Sequence, residues 1–263
     1  MPFVQNGDVR IRYEVEGAGA PLVLHHGYSG SLRDWYRNGY VTALQDRYRL
    51  ILVDARGHGQ SDKPHDVSAY ALETRVGDVV SILDALGVER TLYCGFSMGG
   101  NVAYGLLTQR RERVAAAAIL GADPSPYDTA EWNRIIGILE DGGMEAYAEE
   151  TRSKGEGPDA EEARAILLAQ DPRALIASKM DTRDWPGVAE AFAQVTAPTF
   201  MVAGDADPIY PLIAQAAASN AQSEMVTLPG LDHVATLRRS DLTLPLVRPF
   251  LARSEERIAA PAG

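Results

Sequence analysis

The sequence predicts an α/β fold with a mostly parallel sheet, helices on both of its faces, and a helical cap inserted between two late strands. The main observation is that short apolar runs, bounded mostly by glycine, proline or aspartate, alternate with stretches of helical periodicity. Such runs are typical of strands buried on both faces, and their alternation with helices indicates βαβ units. The second observation is that the alternation stops between Gly121 and Thr199, where only helical patterns occur.

The predicted strands begin with VRIRYEV (9–15), which alternates apolar and polar residues as a half-buried strand does. The buried strands are predicted at PLVLHH (21–26), YRLILVD (48–54), TLYCGF (91–96), VAAAAIL (114–120), TFMVAG (199–204) and EMVTL (224–228). Helical patterns lie at residues 32–46, 69–87, 98–111, 210–221 and 240–257. Right-handed crossovers place such helices on both faces of the sheet.

Residues 123–198 are predicted to form the cap, and residues 1–122 and 199–263 the core domain. The helical stretches of this insertion are TAEWNRIIGILED, GMEAYAEETRS, DAEEARAILLAQ and DPRALIASKM, with breaks at GEGP (155–158) and DWPG (184–187). The candidate pocket residues of the cap are Tyr127, Trp132, Ile136, Tyr147 and Trp185. The alternative for each of them is a place in the cap's own core.

Most of the negative charge lies in the insertion. The 263 residues carry a net charge of −11, and residues 123–198 contain 16 Asp/Glu and 7 Lys/Arg, a net charge of −9. Nucleic acid is not an expected partner, because phosphate contacts need a basic patch. An acidic cap is expected to disfavour anionic substrates near the entrance, unless the charges only solvate its outer surface.

Membrane, disulfide and metal chemistry are not expected. No apolar run approaches the roughly 20 residues that span a bilayer, and no signal-peptide pattern is present, which predicts a cytoplasmic protein. The single cysteine, Cys94, excludes an intramolecular disulfide, and its apolar surroundings favour a buried side chain over a nucleophile. The chain has no CxxC or HExxH motif for a metal. The sequence does not determine the oligomeric state, and a homo-oligomer is one possibility.

Glycines surround Ser97 in the stretch YCGFSMGG (93–100), between a predicted strand and a predicted helix. In this context G-x-S-x-G forms a tight turn that exposes the serine hydroxyl. Side chains two residues before and after the serine would collide, which explains Gly95 and Gly99. The N–H of Met98 would lie at a helix N-terminus, where it can stabilise negative charge. The alternative is a plain strand-to-helix turn with a capping serine.

A second loop, HHGYSGS (25–31), follows another predicted strand. Its first glycine allows close backbone approach, so the N–H of Tyr28 is the candidate for a second donor to an oxyanion. A simple strand-to-helix loop is the alternative.

A serine nucleophile needs a base to take its proton. Of the five histidines, His233 lies late in the chain, in a predicted loop after EMVTL, whereas a structural role is favoured for His58 in DARGHGQSD. The order Ser97, acid, His233 is the one that α/β architectures with this turn require.

Three aspartates are candidates for the acid that orients the base. Asp205 and Asp207 follow the strand TFMVAG, and Asp123 follows VAAAAIL. Loops after parallel strands meet at one edge of the sheet. We favour Asp207, because Pro208 restricts the backbone beside it, and we expect Asp205 to serve the turn.

Taken together, these motifs resemble the α/β-hydrolase superfamily. The resemblance rests on HHGYSGS, DARGHGQSD, GFSMGG, GDADP and the histidine of GLDH, and it covers residues 9–122 and 199–251. It implies a serine hydrolase with Ser97 as the nucleophile, His233 as the base and Asp207 as its orienting acid. The N–H groups of Tyr28 and Met98 would form the oxyanion hole, and no cofactor would be needed.

The resemblance implies a carboxylesterase or lactonase-like enzyme that acts on a small ester or lactone, and the acidic cap favours neutral substrates. Enol-lactone hydrolases, carbon–carbon bond hydrolases and cofactor-free perhydrolases share the motifs GFSMGG and RGHGxS. Serine at the turn disfavours epoxide hydrolases and haloalkane dehalogenases. Outside enzymes, a small-molecule sensor is the alternative, because some proteins of this fold keep an intact triad.

Overall fold

The computed structural model describes residues 2–152 and 160–258 of the chain, which form one sheet flanked by helices. The strands are β1 (Phe3–Asn6), β2 (Val9–Glu16), β3 (Ala20–His25), β4 (Tyr48–Val53), β5 (Thr91–Phe96), β6 (Val114–Leu120), β7 (Thr199–Gly204) and β8 (Ser223–Leu228). The helices are α1 (Arg33–Arg37), α2 (Tyr40–Leu44), α3 (Leu72–Ala85), α4 (Met98–Gln109), α5 (Thr129–Arg152), α6 (Ala160–Leu168), α7 (Pro172–Asp184), α8 (Ala189–Phe192), α9 (Tyr210–Ser219), α10 (His233–Arg238) and α11 (Ser240–Ser254).

The strands follow the order β1-β2-β4-β3-β5-β6-β7-β8. β1 and β2 are antiparallel to their neighbours, and the six strands from β4 to β8 in this order are parallel. The carboxyl ends of the parallel strands therefore lie at one edge of the sheet, where the loops after them come together.

Each face of the sheet is covered by its own set of helices. Along β5, Leu92, Cys94 and Phe96 pack on the face that carries α1, α2, α10 and α11, whereas Tyr93 packs on the face that carries α3 and α4. Successive side chains of a strand point to opposite faces, so a continuous apolar run supplies both cores. The predicted α/β fold with helices on both faces is confirmed.

The seven predicted strands are all present, and the differences lie in short elements. The four-residue edge strand β1 was not predicted, because FVQN has only two apolar residues. The helix predicted over 32–46 is broken at Gly39, which has φ 76°. The predicted loop around His233 is in part a helix, because α10 begins at that residue.

The insertion between β6 and β7 is helical, as predicted, and consists of α5 to α8 in the described residues. α5 contains a break at Gly143, which has φ 60°. The predicted break at 155–158 lies outside the described residues, and DWPG follows the end of α7. Within residues 2–152 and 160–258, no helix has the length and apolar character that crossing a bilayer requires.

Ion pairs connect the insertion to the core. Asp171 lies 2.8 Å from His65, and Asp181 lies 2.8 Å from the buried Arg75 of α3. Within the insertion, the Val188 N–H donates to the carbonyl of Pro124, 2.7 Å away. The helices of the insertion are thus anchored to the loop that follows β4 and to α3.

Candidate active site

Ser97 lies at the turn between β5 and α4 with φ 51° and ψ −114°. Positive φ is rare for a residue with a side chain, and it costs roughly 1–3 kcal/mol. Two backbone hydrogen bonds hold the turn: the Ser97 N–H donates to Leu120, and its carbonyl accepts from the Asn101 N–H. The strained conformation is therefore set by the strand beside it and the helix after it.

The glycines around Ser97 are required by lack of space. A Cβ on Gly95 would lie 2.4 Å from the carbonyl oxygen of Gly99, and one on Gly99 would lie 2.1 Å from the carbonyl oxygen of His25. A Cβ on Gly100 would lie 2.6 Å from the Cβ of Ala122, because α4 packs directly on the sheet. These contacts account for the glycine pattern of the sequence.

His233 bridges Ser97 and Asp207. Its Nε2 lies 2.9 Å from Ser97 Oγ, and its Nδ1 lies 2.7 Å from Asp207 Oδ2. The Asp207 side chain is 1% exposed, and its second oxygen accepts from the Ile209 N–H at 3.1 Å. The structure thus brings together three residues from the ends of β5, β7 and β8, spaced as a nucleophile, a base and an orienting acid require.

The other two candidate acids have different partners. Asp205 Oδ1 accepts from the Gly230 N–H at 2.6 Å, so this carboxylate connects two neighbouring loops. Asp123 Oδ1 accepts from the Ser125 N–H at 2.8 Å. Burial raises the pKa of Asp123, an effect opposed by its hydrogen bonds to Ser125. The geometry therefore supports Asp207 as the partner of His233.

The loop after β3 passes close to the serine. A Cβ on Gly27 would lie 2.8 Å from the ring of Phe96 and 3.3 Å from Ser97 Cβ. Among the described residues, no backbone carbonyl accepts from the N–H of Tyr28 or of Met98. The N–H of the residue after Ser97 and that of the residue after Gly27 are thus without a carbonyl partner, which makes them candidates to bind an oxyanion.

His26, which sequence reasoning left without a role, holds this loop in place. Its Nε2 accepts from the Ala55 N–H at 3.0 Å, and its Nδ1 lies 2.7 Å from the carbonyl of Gly27. Because a backbone N–H only donates, Nε2 carries no proton, and Nδ1–H donates to Gly27. This defined tautomer links the loop after β3 to the loop after β4.

Comparison with known proteins identifies the family. The profile of the alpha/beta hydrolase fold matches residues 20–186. The chain belongs to the α/β-hydrolase family.

Individual relatives agree with this assignment. Over 176 residues the chain is 28% identical to a 3-oxoadipate enol-lactonase of Acinetobacter baylyi, a match that covers 64% of this chain and 65% of that protein. The enol-lactonase from Burkholderia xenovorans LB400 superposes with a TM-score of 0.87 and 21% identity, over 95% of this chain and all of the other. The esterase RhEst1 from Rhodococcus sp. superposes with a TM-score of 0.81 and 25% identity, over 95% and 97% of the two chains.

The loop after β3, which carries Tyr28, connects the candidate active site of this α/β-hydrolase to the insertion. The Tyr28 hydroxyl donates to the carbonyl of Leu175 in α7 at 3.0 Å, and Ser29 Oγ lies 3.4 Å from the hydroxyl of Tyr147 in α5. The Tyr28 and Tyr147 rings meet edge-on at 6.2 Å. The insertion therefore packs directly on the loop that carries the candidate oxyanion donor.

The other predicted pocket residues differ in their contacts with the helix after Ser97. Tyr127 reaches α4, where its hydroxyl lies 2.7 and 3.0 Å from the two side-chain polar atoms of Asn101. Trp132 and Trp185 pack on the ring of Tyr127, at 5.1 and 6.1 Å. Ile136 is buried in α5. Of the five predicted pocket residues, Tyr127 thus contacts Asn101 of α4, and Tyr147 contacts Ser29 in the loop after β3.

A buried cation, Lys179 in α7, was not found from the sequence. The side chain is 5% exposed, and its Nζ lies 3.9 Å from the ring centroid of Tyr28 and 3.6 Å from that of Trp132. Burial, together with the nearby charge of Arg75, lowers the pKa of Lys179 to about 7, although the charge of Glu131 acts in the opposite direction. The only indication in the sequence was a lysine in a helical stretch, DPRALIASKM, whose preceding residues are mostly apolar.

The acidic residues of the insertion lie mostly on its outer surface. In the described part of the insertion the exposed acidic residues are Asp128, Glu131, Glu140, Asp141, Glu145, Glu149, Glu150, Glu161, Glu162, Asp184 and Glu190. The net charge of the insertion is therefore no guide to the charge of its inner side, and it does not support the expected preference for neutral substrates. No cluster of three or more metal-ligating side chains occurs in the part of the chain that the structure describes.

Gly99→Ala is expected to lower the melting temperature strongly, because the added Cβ meets the backbone of β3 rather than a movable side chain. Gly137→Ala in α5 is the matched control, since its Cβ meets nothing within 4 Å and alanine favours a helix. Thermal unfolding of both variants checks the prediction. Equal melting temperatures would show that the turn relaxes to accept a side chain.

Lys179→Met is expected to stabilise the fold at neutral pH, since it removes a buried cation. The pKa of Lys179 is lowered to about 7 in the folded protein from its ordinary 10.5, so the cost of burying the charge is complete below pH 7. The cost fades as pH rises towards 10.5, where the unfolded chain also loses the proton. Thermal unfolding between pH 6 and 10 should show a gain that shrinks with pH, and a gain independent of pH would contradict this.

Proposed function

We propose that this α/β-hydrolase cleaves small carboxylic esters or lactones through an acyl-enzyme on Ser97. The observation that carries the proposal is the continuous chain from Ser97 Oγ through His233 to Asp207, with distances of 2.9 and 2.7 Å. A hydroxyl becomes a useful nucleophile when a positioned base accepts its proton. The strained backbone of Ser97 adds support, because strain of this kind clusters at functional sites.

In the proposed reaction, Ser97 Oγ attacks the carbonyl carbon of the substrate while His233 Nε2 takes the hydroxyl proton. Asp207 holds Nδ1–H of the imidazole and stabilises the imidazolium that forms. Collapse of the tetrahedral intermediate breaks the ester C–O bond, and His233 returns the proton to the leaving alkoxide. Water then attacks the acyl-enzyme with His233 as its base, which releases the acid and restores Ser97.

The oxyanion of the tetrahedral intermediate is proposed to bind the N–H groups of Tyr28 and Met98. The Met98 N–H is the first of α4, so the helix dipole also favours negative charge there. One donor of this type is worth about 3 kcal/mol of transition-state stabilisation. The close approach of Gly27 to Ser97, and the tautomer of His26 that orients the loop, support this role.

The named relatives support the choice of bond. One curated relative is a 3-oxoadipate enol-lactonase, and a solved structure with 25% identity is an esterase. Both names describe attack on a carbonyl that bears an oxygen leaving group, which is the chemistry that the Ser97 geometry favours. Cys94 is no competing nucleophile, since burial raises the pKa of its thiol to about 12.

Ser97→Ala is expected to leave a folded protein with hydrolysis lowered by several orders of magnitude, as for a triad knockout. Turnover of a panel of short p-nitrophenyl esters and lactones measures this, and a fluorophosphonate should label wild type at Ser97 alone. More than a tenth of the activity remaining in the variant would reject Ser97 as the nucleophile. A single stoichiometric acylation of wild type without turnover would indicate a sensor instead.

Asp207→Asn is expected to preserve the fold and lower kcat by orders of magnitude, since an amide favours the wrong tautomer of His233. Asp205→Asn and Asp123→Asn are the matched controls, because these carboxylates have other partners in the structure. Steady-state kinetics of the three variants on one ester decide between the candidates. A larger loss in either control would move the acid away from Asp207 and leave Ser97 and His233 untouched.

A further inference from the structure

Lys179 lies between two aromatic rings without an anionic partner. Its Nζ is within 4 Å of the ring centroids of Tyr28 and Trp132, and within residues 2–152 and 160–258 it makes no ion pair or hydrogen bond. An ammonium group has three N–H donors. Ring faces attract a cation, but they leave those donors without an oxygen acceptor.

The carboxylate whose charge acts on Lys179, and the one that follows Lys179 in α7, both have other partners. Glu131 raises the pKa of Lys179 through its charge, yet its own oxygen lies 2.8 Å from Arg134 on the exposed side of α5. Asp181, two residues further along α7, lies 2.8 Å from Arg75. A buried cation without a counter-ion is costly, so an anionic ligand would stabilise the charged form of Lys179.

A second unpartnered donor lies beside this cation. Nε1 of Trp132 is buried and has no hydrogen-bond acceptor among the residues that the structure describes, and the same ring carries Lys179 Nζ at 3.6 Å. An indole N–H and an ammonium group are both donors only. A carboxylate offers acceptor oxygens that can satisfy the two donors and a charge that matches the lysine.

Both rings that flank Lys179 connect to the serine turn. The Tyr28 ring belongs to the residue whose N–H is a proposed oxyanion donor. Trp132 packs on Tyr127, whose hydroxyl bonds to Asn101, and the Asn101 N–H donates to the Ser97 carbonyl. Lys179 thus contacts the residue that carries a proposed oxyanion donor on one side, and on the other side it is linked through Trp132, Tyr127 and Asn101 to Ser97.

We propose that Lys179, with the Trp132 indole N–H, binds a carboxylate of the substrate, so that the preferred ester or lactone carries an acidic group. This inference rests on the proposed function, whose substrate class it narrows, and it replaces the neutral substrates that net charge alone favours. The lowered pKa of the free lysine is consistent with it, because a bound carboxylate would favour the charged form again.

Paired substrates test the proposal, since they differ only in the acidic group. Monoethyl and diethyl esters of succinate, glutarate and adipate give three spacings between the ester and the carboxylate. The variant is Lys179→Met, and the matched control is Arg173→Met, which removes an exposed cation from the same helix. For at least one chain length, Lys179→Met should lower the ratio of kcat/KM for the monoester to that for the diester about 10- to 100-fold. Arg173→Met should leave this ratio as in wild type.

Binding without turnover separates this inference from the proposed function. The monoamides of the same three acids, compared with their diamides, are titrated calorimetrically into Ser97→Ala and into Ser97→Ala with Lys179→Met. Tighter binding of a monoamide that is lost with Lys179 supports the carboxylate site, even if no ester is turned over. Equal binding in both proteins, together with an unchanged monoester-to-diester ratio, would assign Lys179 a purely structural place between the two rings.

Discussion

The backbone at Ser97 is the constraint on which the rest of the site depends. A serine at φ 51° is unfavourable in isolation. It is held in this conformation between β5 and α4, with backbone hydrogen bonds to Leu120 of β6 and Asn101 of α4. Close packing produces this rigidity, since the carbonyl of His25 occupies the space that a side chain at position 99 would need. The same packing brings the loop after β3 against the serine, so the position of this loop depends on the tight turn.

Polar contacts at the carboxyl edge of the sheet transmit this rigidity to the loops. Asp207 is fixed by a backbone N–H on one side and by His233 on the other, and Asp205 ties its loop to the one before α10. His26 performs the corresponding task between the loops after β3 and β4, and its tautomer is dictated by its partners. The residues around the serine are therefore oriented mainly by hydrogen bonds to backbone groups.

The insertion separates its charges by side. In the described part of the insertion most acidic residues meet water, whereas Lys179 is enclosed between the rings of Tyr28, in the loop after β3, and of Trp132, in α5. Charge in water is screened and contributes little to recognition, whereas a buried charge without a partner is expensive and selects strongly for its opposite. In the proposed carboxylate site, Lys179 would therefore outweigh many exposed carboxylates in selecting the substrate, and the cost of burying its charge is consistent with such a role.

The sequence by itself determined the α/β fold, the helical insertion, and Ser97 and His233 as two of the three residues that the structure brings together, and it favoured Asp207 as the third. These features have local signatures: continuous apolar runs for buried strands, glycines at a turn without space, and polar residues directly after strands. Tertiary structure decided that Asp207, rather than Asp123 or Asp205, meets His233, because this contact depends on how the loops after β6 and β7 lie relative to His233. It also decided the side on which each charge of the insertion lies. Net charge is a sum over a segment, whereas the effect of one charge on ligand binding depends on its burial. The burial of Lys179 follows from the packing of α7 against Trp132 and Tyr28, about 50 and 150 positions away in the sequence.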